Sequence, residues 1–435
     1  MSQKTISKYR WTICGLIFFA TTINYIDRNV ISFLKSTFTN DLGWTDADYA
    51  NVEIVFKIFY SLGMIGAGRI VDKLGTRIGY GLYTLLWSLA GICTAFANSV
   101  FGFGVVRGAL GLTEAGNFPA AIKTVAEWFP KKERALATGI FNSGANIGAI
   151  VTPIFVPMIV VSWGWKWAFI ITGLLGVIWL ILWLTMYDTP ARHKKVSPEE
   201  LAYIESDKEE TPADTTTDHP KLSWGKLLGF RQTWAFVLGK FLTDPIWWFY
   251  LFWLPDFFES VYNIKLQAAS WPVAVVYLIS TLGSVGGGWL PLKFIQKGMP
   301  VFKARKTSML IYAFFVLPIF FALVLGKIDM WYAVVVIGIA AAAHQAWSAN
   351  IFTTVSDMFP KSCTGSVTGI GGMAGGFGGI ALSFFVQKQM FVYYRSINQI
   401  ETAYYIMFAI CGSAYLLGWL IMHFLVPKMK PIVSN

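Results

Sequence analysis

The chain has 435 residues, of which 55% are hydrophobic and only 14% charged, with a mean hydropathy of +0.54, which excludes an ordinary soluble enzyme. Its net charge of +11 is dispersed between apolar segments, so the basic excess orients the chain in a bilayer and does not read nucleic acid. Short alternating segments, the mark of a membrane β-barrel, are absent from the sequence.

Apolar stretches long enough to cross a bilayer recur over 11–35, 49–71, 78–99, 101–127, 134–160, 164–187, 234–260, 268–293, 306–326, 331–357, 364–388 and 402–426. They predict an all-α membrane protein of twelve transmembrane helices in two six-helix halves, 1–187 and 233–435, joined by a linker over 188–232. Lys4, Lys8, Arg10, Arg69, Lys73, Arg77, Lys131, Lys132, Arg134, Lys293, Lys297, Lys303, Arg305, Lys306, Lys428 and Lys430 fall on one side. The other side holds little beyond Lys35, Lys166, Lys265, Lys327, Lys388 and Arg395, a bias that places both termini in the cytoplasm. The N-terminus carries no cleavage pattern of a removable signal, and insertion into a plasma or bacterial inner membrane follows.

The first span carries Asp27 and Arg28 near its centre, where an ionised side chain costs about 2.5–3.5 kcal/mol and faces a polar cavity or a partner. On the second, Lys57 lies one turn before Tyr60 and four residues after Glu53, so an intrahelical pair competes with a role in substrate binding. The turn that follows, Gly68-Arg69-Ile70-Val71-Asp72-Lys73-Leu74-Gly75-Thr76-Arg77, combines glycines for close packing with Asp72, which can meet a basic group and a helix N-terminus. On the fourth span Arg107 and Glu114 are seven residues apart and share a face, so two carboxylates and two guanidiniums are expected to meet in this half. Asn142 and Asn146, one turn apart on the fifth span, read as interhelical hydrogen-bonders.

The linker opens on Ser197-Pro198-Glu199-Glu200, a short amphipathic helix, and continues through the acidic run 207–210 and three threonines ending at Thr217. The seventh span carries the run from Phe241 to Pro255, with Asp244-Pro245, whose plain reading is a broken helix, and the aromatic pair Trp247-Trp248. The tenth carries His344, Gln345, Trp347 and Asn350. Trp247 and Trp248 have packing roles as their plain alternative, and His344 that of a neutral structural histidine. Cys14, Cys93, Cys363 and Cys411 lack metal-ligand spacing and read as buried, inert thiols. No zinc motif, nucleophile–base set or nucleotide loop is present in the sequence, so neither an enzyme, a cofactor nor a bound metal is expected.

A repeat at an offset of 230 residues aligns Trp128-Phe129-Pro130-Lys131 with Met358-Phe359-Pro360-Lys361, Thr138-Gly139-Ile140 with Thr368-Gly369-Ile370, and Gly148 with Gly378. Parallel repeats of this kind build transporters whose substrate site lies near the midplane. The loop from Gly68 to Arg77, with the twelve spans, the linker and the repeat, resembles the major facilitator superfamily. Asn24-Tyr25-Ile26-Asp27-Arg28, with Arg107 and Glu114, resembles its anion:cation symporter family, and the runs in spans seven and ten look like the bacterial hexuronate transporters.

The resemblance implies proton-coupled uptake of a hexuronate such as glucuronate or galacturonate by a monomer in the lipid bilayer. Arg28 would hold the substrate carboxylate, with Tyr25, Tyr60, Lys57, Trp247, His344, Gln345, Trp347 and Asn350 lining the site. Asp27, Glu114 and Arg107 would handle protons, while Gly68, Asp72, Gly75 and Arg77 would serve the conformational switch. An aldonate or aldarate symporter (galactonate, glucarate), or a sodium-coupled or exchanging organic-anion carrier, is the competing expectation.

Overall fold

The described part of each expected apolar span is mainly helix in the computed structural model, which describes residues 8–44, 46–206, 223–263, 266–360, 362–382, 384, 388–428 and 432. The 207–222 part of the linker, with its acidic run and Thr217, lies outside the described residues, as do Lys4, Lys265, Lys361 and Lys430. The helices, in chain order, are α1 (Tyr9–Asn29), α2 (Lys35–Leu42), α3 (Asp46–Leu74), α4 (Thr76–Thr94), α5 (Val100–Glu114), α6 (Asn117–Trp128), α7 (Lys131–Trp163), α8 (Trp165–Met186) and α9 (Pro198–Ile204). After the linker come α10 (Trp224–Gly229), α11 (Arg231–Tyr262), α12 (Leu266–Gln296), α13 (Val301–Val316), α14 (Ala322–Gly326), α15 (Met330–Met358), α16 (Thr364–Ala381), α17 (Lys388–Ser396) and α18 (Ile400–Leu425). Among the described residues, six helices are long and apolar enough to cross a membrane by length and composition alone.

Among the described residues the first, fourth and ninth expected spans are not single helices, and in the fourth and ninth a proline is the local cause. The fourth divides into α5 and α6 at Ala115 and Gly116, because Pro119 has no N–H to return to the Ala115 carbonyl. The first tightens after Asn29 into a 3-10 turn, Val30–Phe33. The ninth tightens at Leu317–Phe321, where Pro318 breaks the ladder between α13 and α14. Conversely, α11 runs unbroken past Pro245, correcting the expected break beside Asp244. Gly378 of α16 packs on the Phe241 carbonyl and Pro245 ring at that point, where a side chain would not fit.

By contacts the chain divides into two compact units, Met1–Trp224 with Val355–Ile370 and Pro431–Asn435, and Gly225–Thr354 with Gly371–Lys430. In the first, α3 packs on α5, α1 on α7 and α4 on α8. Glycines set these approaches: a Cβ on Gly63 would stand 2.7 Å from the Leu112 carbonyl, and one on Gly148 2.8 Å from that of Thr22. In the second, α11 packs on α18 and α12 on α13.

The linker's short helix α9 is docked and not free. Its Glu200 is wholly buried and accepts hydrogen bonds from the Tyr9 and Arg10 amides at 3.1 and 3.2 Å, as well as from the Arg10 side chain at 3.0 Å. Cys14, Cys363 and Cys411 are buried free thiols as expected, whereas Cys93 is exposed on α4.

Candidate functional site

Helix α1 ends inside the apolar region, and its last turn organises the site. Arg28 and Asp27 are adjacent, so they leave the helix about 100° apart and reach different neighbours. The Arg28 guanidinium donates from Nε to Glu114 Oε2 at 2.9 Å and from Nη2 to the Asn24 side chain at 3.3 Å. Three rings surround it: its Cζ lies 4.6 Å from the Tyr25 centroid, 4.6 Å from Tyr60 and 5.5 Å from Phe56. Glu114, fully buried, is the final residue of α5, immediately before the interruption that the Gly116 and Pro119 sequence creates. Its second oxygen, Oε1, has no hydrogen-bond donor.

The expected four-residue network is only partly assembled. Arg107 donates to main-chain carbonyls, those of Asp27 at 3.3 Å and Arg28 at 2.8 Å, and its guanidinium lies 5.0 Å from the Phe56 ring. It therefore binds two carbonyls of the last turn of α1. Asp27 turns the other way, towards Gly91 of α4 and Thr172 of α8. Its carboxylate is buried, and neither oxygen accepts a hydrogen bond of normal geometry. Two groups of the expected four, Arg28 and Glu114, are thus in direct contact.

Lys57 contacts Glu53 at 3.3 Å, one helical turn back, and both side chains are partly exposed. Phe56 was not singled out from the sequence, because one phenylalanine among 35 carries no distinguishing signal. Asn117 was missed as well; it accepts from the Tyr80 hydroxyl at 2.6 Å and donates to Thr21 at 3.3 Å, tying α6 to α4 and α1.

Asp72, at the end of α3, accepts from the Gly365 and Ser366 amides at 3.2 and 2.7 Å, the Ser366 hydroxyl at 2.6 Å and Lys123 Nζ at 3.1 Å. These amides are the second and third of α16, so the carboxylate occupies a helix N-terminus inside the first unit. Gly68 lets that end approach, since a Cβ there would overlap the Gly365 carbonyl. Gly75 adopts φ +78 between α3 and α4. Arg77 turns away from Asp72 to the Leu184 carbonyl at 2.7 Å and to Asp188 at 3.8 Å.

The second unit gathers a separate cluster. His344 of α15 stacks on Trp247 of α11 with centroids 5.2 Å apart, and its Nδ1 lies 2.5 Å from the Tyr415 hydroxyl of α18. Trp347 is fully buried against Tyr415, and Gln345 is buried beside them on α15. Asn350 commits its amide to the Gly287 and Ala346 carbonyls at 2.7 and 2.9 Å, which ties α15 to α12.

A family model described as "Major Facilitator Superfamily" matches residues 17–383. A protein named hexuronate transporter from Escherichia coli (strain K12) is 33% identical over 373 residues, covering 86% of this chain and 85% of that one. A galacturonate transporter from Dickeya chrysanthemi is 35% identical over 289 residues, 66% of this chain and 83% of the other. Proteins named as D-galactonate and galactarate/D-glucarate transporters match at 28% and 27%. Among solved structures, the proton:xylose symporter XylE superposes with a TM-score of 0.76 over 98% of both chains at 17% identity, a likeness of fold alone.

Proposed function

Because this chain belongs to the Major Facilitator Superfamily, we propose that it takes up a hexuronate, glucuronate or galacturonate, together with protons by alternating access. It is a multi-pass membrane transport protein and not an enzyme, and its relatives' names support a sugar acid as the transported class. The observation that carries the finer reading is the Arg28–Glu114 contact at 2.9 Å, buried within a cage of aromatic rings.

An arginine so placed is neutralised by one carboxylate at a time. When Glu114 takes a proton from water it ceases to be an anion, and Arg28 keeps its charge. The carboxylate of a sugar acid then replaces Glu114 as the partner, with two parallel N–H donors available to it. Proton and anion enter together without net change in the buried charge, and deprotonation of Glu114 restores the original pair and expels the substrate. Asp27 titrates as the second member of a coupled acid pair. Tyr25 and Tyr60 offer ring faces and hydroxyls to the pyranose, while Trp247, His344, Gln345, Trp347 and Asn350 complete the proposed substrate set and Lys57 stays with Glu53. Arg107 holds the end of α1 in place, and Gly68, Asp72, Gly75 and Arg77 form the switch segment. The lysine and arginine bias orients both termini towards the cytoplasm of a bacterial inner membrane, with one chain as the working unit.

Reconstituted vesicles with an imposed proton gradient test this reading. Glu114→Gln should abolish gradient-driven accumulation of radiolabelled glucuronate and retain exchange of internal for external substrate. Unchanged accumulation in that variant overturns the proton role. An aldonate or aldarate substrate is the second reading, favoured by the galactonate and glucarate relatives. Competition among glucuronate, galacturonate, galactonate and glucarate decides between them, and uptake that requires sodium or internal anion in place of protons excludes both.

A further inference from the structure

The second unit contains an ion pair that the scheme above does not use. Lys240 and Asp244 lie one turn apart on α11 with Nζ and Oδ2 2.7 Å from each other. The two side chains differ in access: Asp244 is 19% exposed and Lys240 only 5%. Lys240 also rests on the Phe352 ring of α15, its Nζ 3.9 Å from the centroid, so a second interaction holds it where it is. Opposite the carboxylate, α16 presents Gly375, and a Cβ at that position would overlap Oδ2. The helices around the pair bring two further polar groups within electrostatic reach, His344 from α15 near Lys240 and Tyr415 from α18 near Asp244. These two touch one another and not the ion pair.

We propose that Lys240 and Asp244 form a second proton site, in which protonation of Asp244 frees the Lys240 ammonium to donate to a hydroxyl of the transported acid. The inference rests on the proton-coupled reading given above. A pair serving only to join helices would be replaced by apolar contacts without loss, since the desolvation of two buried charges offsets their attraction. Here both charges are on one helix, so the ion pair itself links no two helices. The partly exposed partner is the acid, the group that must exchange a proton with water. The buried partner is the cation, which Phe352 retains when its carboxylate is neutral.

The resting pair is neutral and one proton on Asp244 leaves a net positive charge on Lys240; the glucuronate carboxylate already cancels Arg28, so this charge crosses with the second proton and uptake is electrogenic. Gly375 lets the carboxylate lie beside the lysine, because any side chain at that position would overlap Oδ2. Each unit thus has its own acid and cation, Glu114 with Arg28 and Asp244 with Lys240, and the second pair adds a proton to those taken up with each substrate.

The test uses the full chain in proteoliposomes containing a pH-sensitive dye, with proton entry and radiolabelled glucuronate uptake measured together. Asp244→Asn is expected to lower the proton-to-glucuronate ratio by about one while glucuronate counterflow stays within about two-fold of wild type. Lys240→Met with Asp244→Asn, which removes the pair as a unit, is expected to lower the ratio equally and to raise the KM for glucuronate at least about ten-fold. A wild-type ratio in either folded variant overturns the proposal, as does a wild-type KM in the double variant. Should Asp244→Asn alone fail to fold while the double variant folds with wild-type ratio and KM, the pair is structural and the proposal falls. A wild-type protein that moves no protons defeats the underlying reading instead, which the same dye reports before any variant is made.

Discussion

Arg107 Nη2 donates to the main-chain carbonyl of Arg28 at 2.8 Å, so one arginine fixes the helix end from which the other projects. A guanidinium suits this task because its planar fork reaches two carbonyls, Asp27 and Arg28, at once. Truncation leaves both buried without that donor, at about 1–3 kcal/mol each. Arg107→Ala is therefore expected to destabilise the protein by about 2–6 kcal/mol, with Arg107→Lys intermediate. Thermal melts in detergent read this ordering, and a wild-type melt for Arg107→Ala contradicts it.

For Arg28 the expectation concerns affinity more than stability. Lysine keeps a positive charge opposite Glu114 but loses the flat face that Tyr25 and Tyr60 cover and the second parallel donor. Arg28→Lys should raise the KM for glucuronate at least about ten-fold, with the fold retained. Normal KM in a folded Arg28→Lys protein removes Arg28 from the substrate site.

Asp72 and Lys123 form a buried pair whose partners can be removed singly or together. Asp72→Asn leaves Lys123 without its counter-ion and α16 without an anion at its N-terminus, an expected loss of about 3–5 kcal/mol. The double variant with Lys123→Met should cost less than the sum of the single losses, because no uncompensated charge remains. Additive losses in chemical or thermal unfolding would show that the two residues act independently.

Lys57 gives the smallest expected effect. Its partner Glu53 is on the same helix and both are partly exposed, so the pair contributes about 0.3–0.5 kcal/mol. Lys57→Met should leave the melting temperature and the KM for glucuronate nearly unchanged. A large rise in KM, with stability intact, would place the ammonium against the substrate and not only against Glu53.

These cases mark what the sequence exposes. Charges in apolar helices stand out at once, which is how Arg28, Glu114 and Asp27 were legible, and seven-residue spacing put Arg107 on the face of Glu114. The partner of Arg107 was not legible, because it is backbone, and every residue has a carbonyl. Asp27 escaped its expected contacts because neighbouring helix positions diverge by about 100°. The interruption after Glu114 did have a signal, Gly116 followed by Pro119, hidden by the continuous hydropathy of the span. Lys240 also had one: it lies four residues before Asp244 in an otherwise apolar run, the spacing of an intrahelical pair. Phe56 had none, since its role depends on which of many aromatic side chains faces a guanidinium.

The docking of α9 follows from helix-end chemistry and can be tested without substrate. Ser197 caps α9 by accepting from the Glu200 amide at 3.1 Å, which fixes the third residue of that helix. The Glu200 carboxylate is then directed to the first turn of α1, where the Tyr9 and Arg10 amides have no intrahelical acceptors and the helix dipole favours an anion. Arg10 completes the lock by bridging Glu200 and Glu133 at 3.0 Å each, with the Tyr203 ring 4.8 Å from its guanidinium. Glu200→Ala removes every acceptor at that end of α1 supplied by α9, and should destabilise the protein by about 2–4 kcal/mol. Glu200→Gln keeps one carbonyl oxygen and should lose about half as much. Because α9 is held by this contact, Glu200→Ala should also hasten proteolytic cleavage within 198–206, read by mass spectrometry of the fragments. Wild-type melting and unchanged cleavage in Glu200→Ala would mean that α9 is retained by its apolar contacts, such as buried Ile204, and not by the carboxylate.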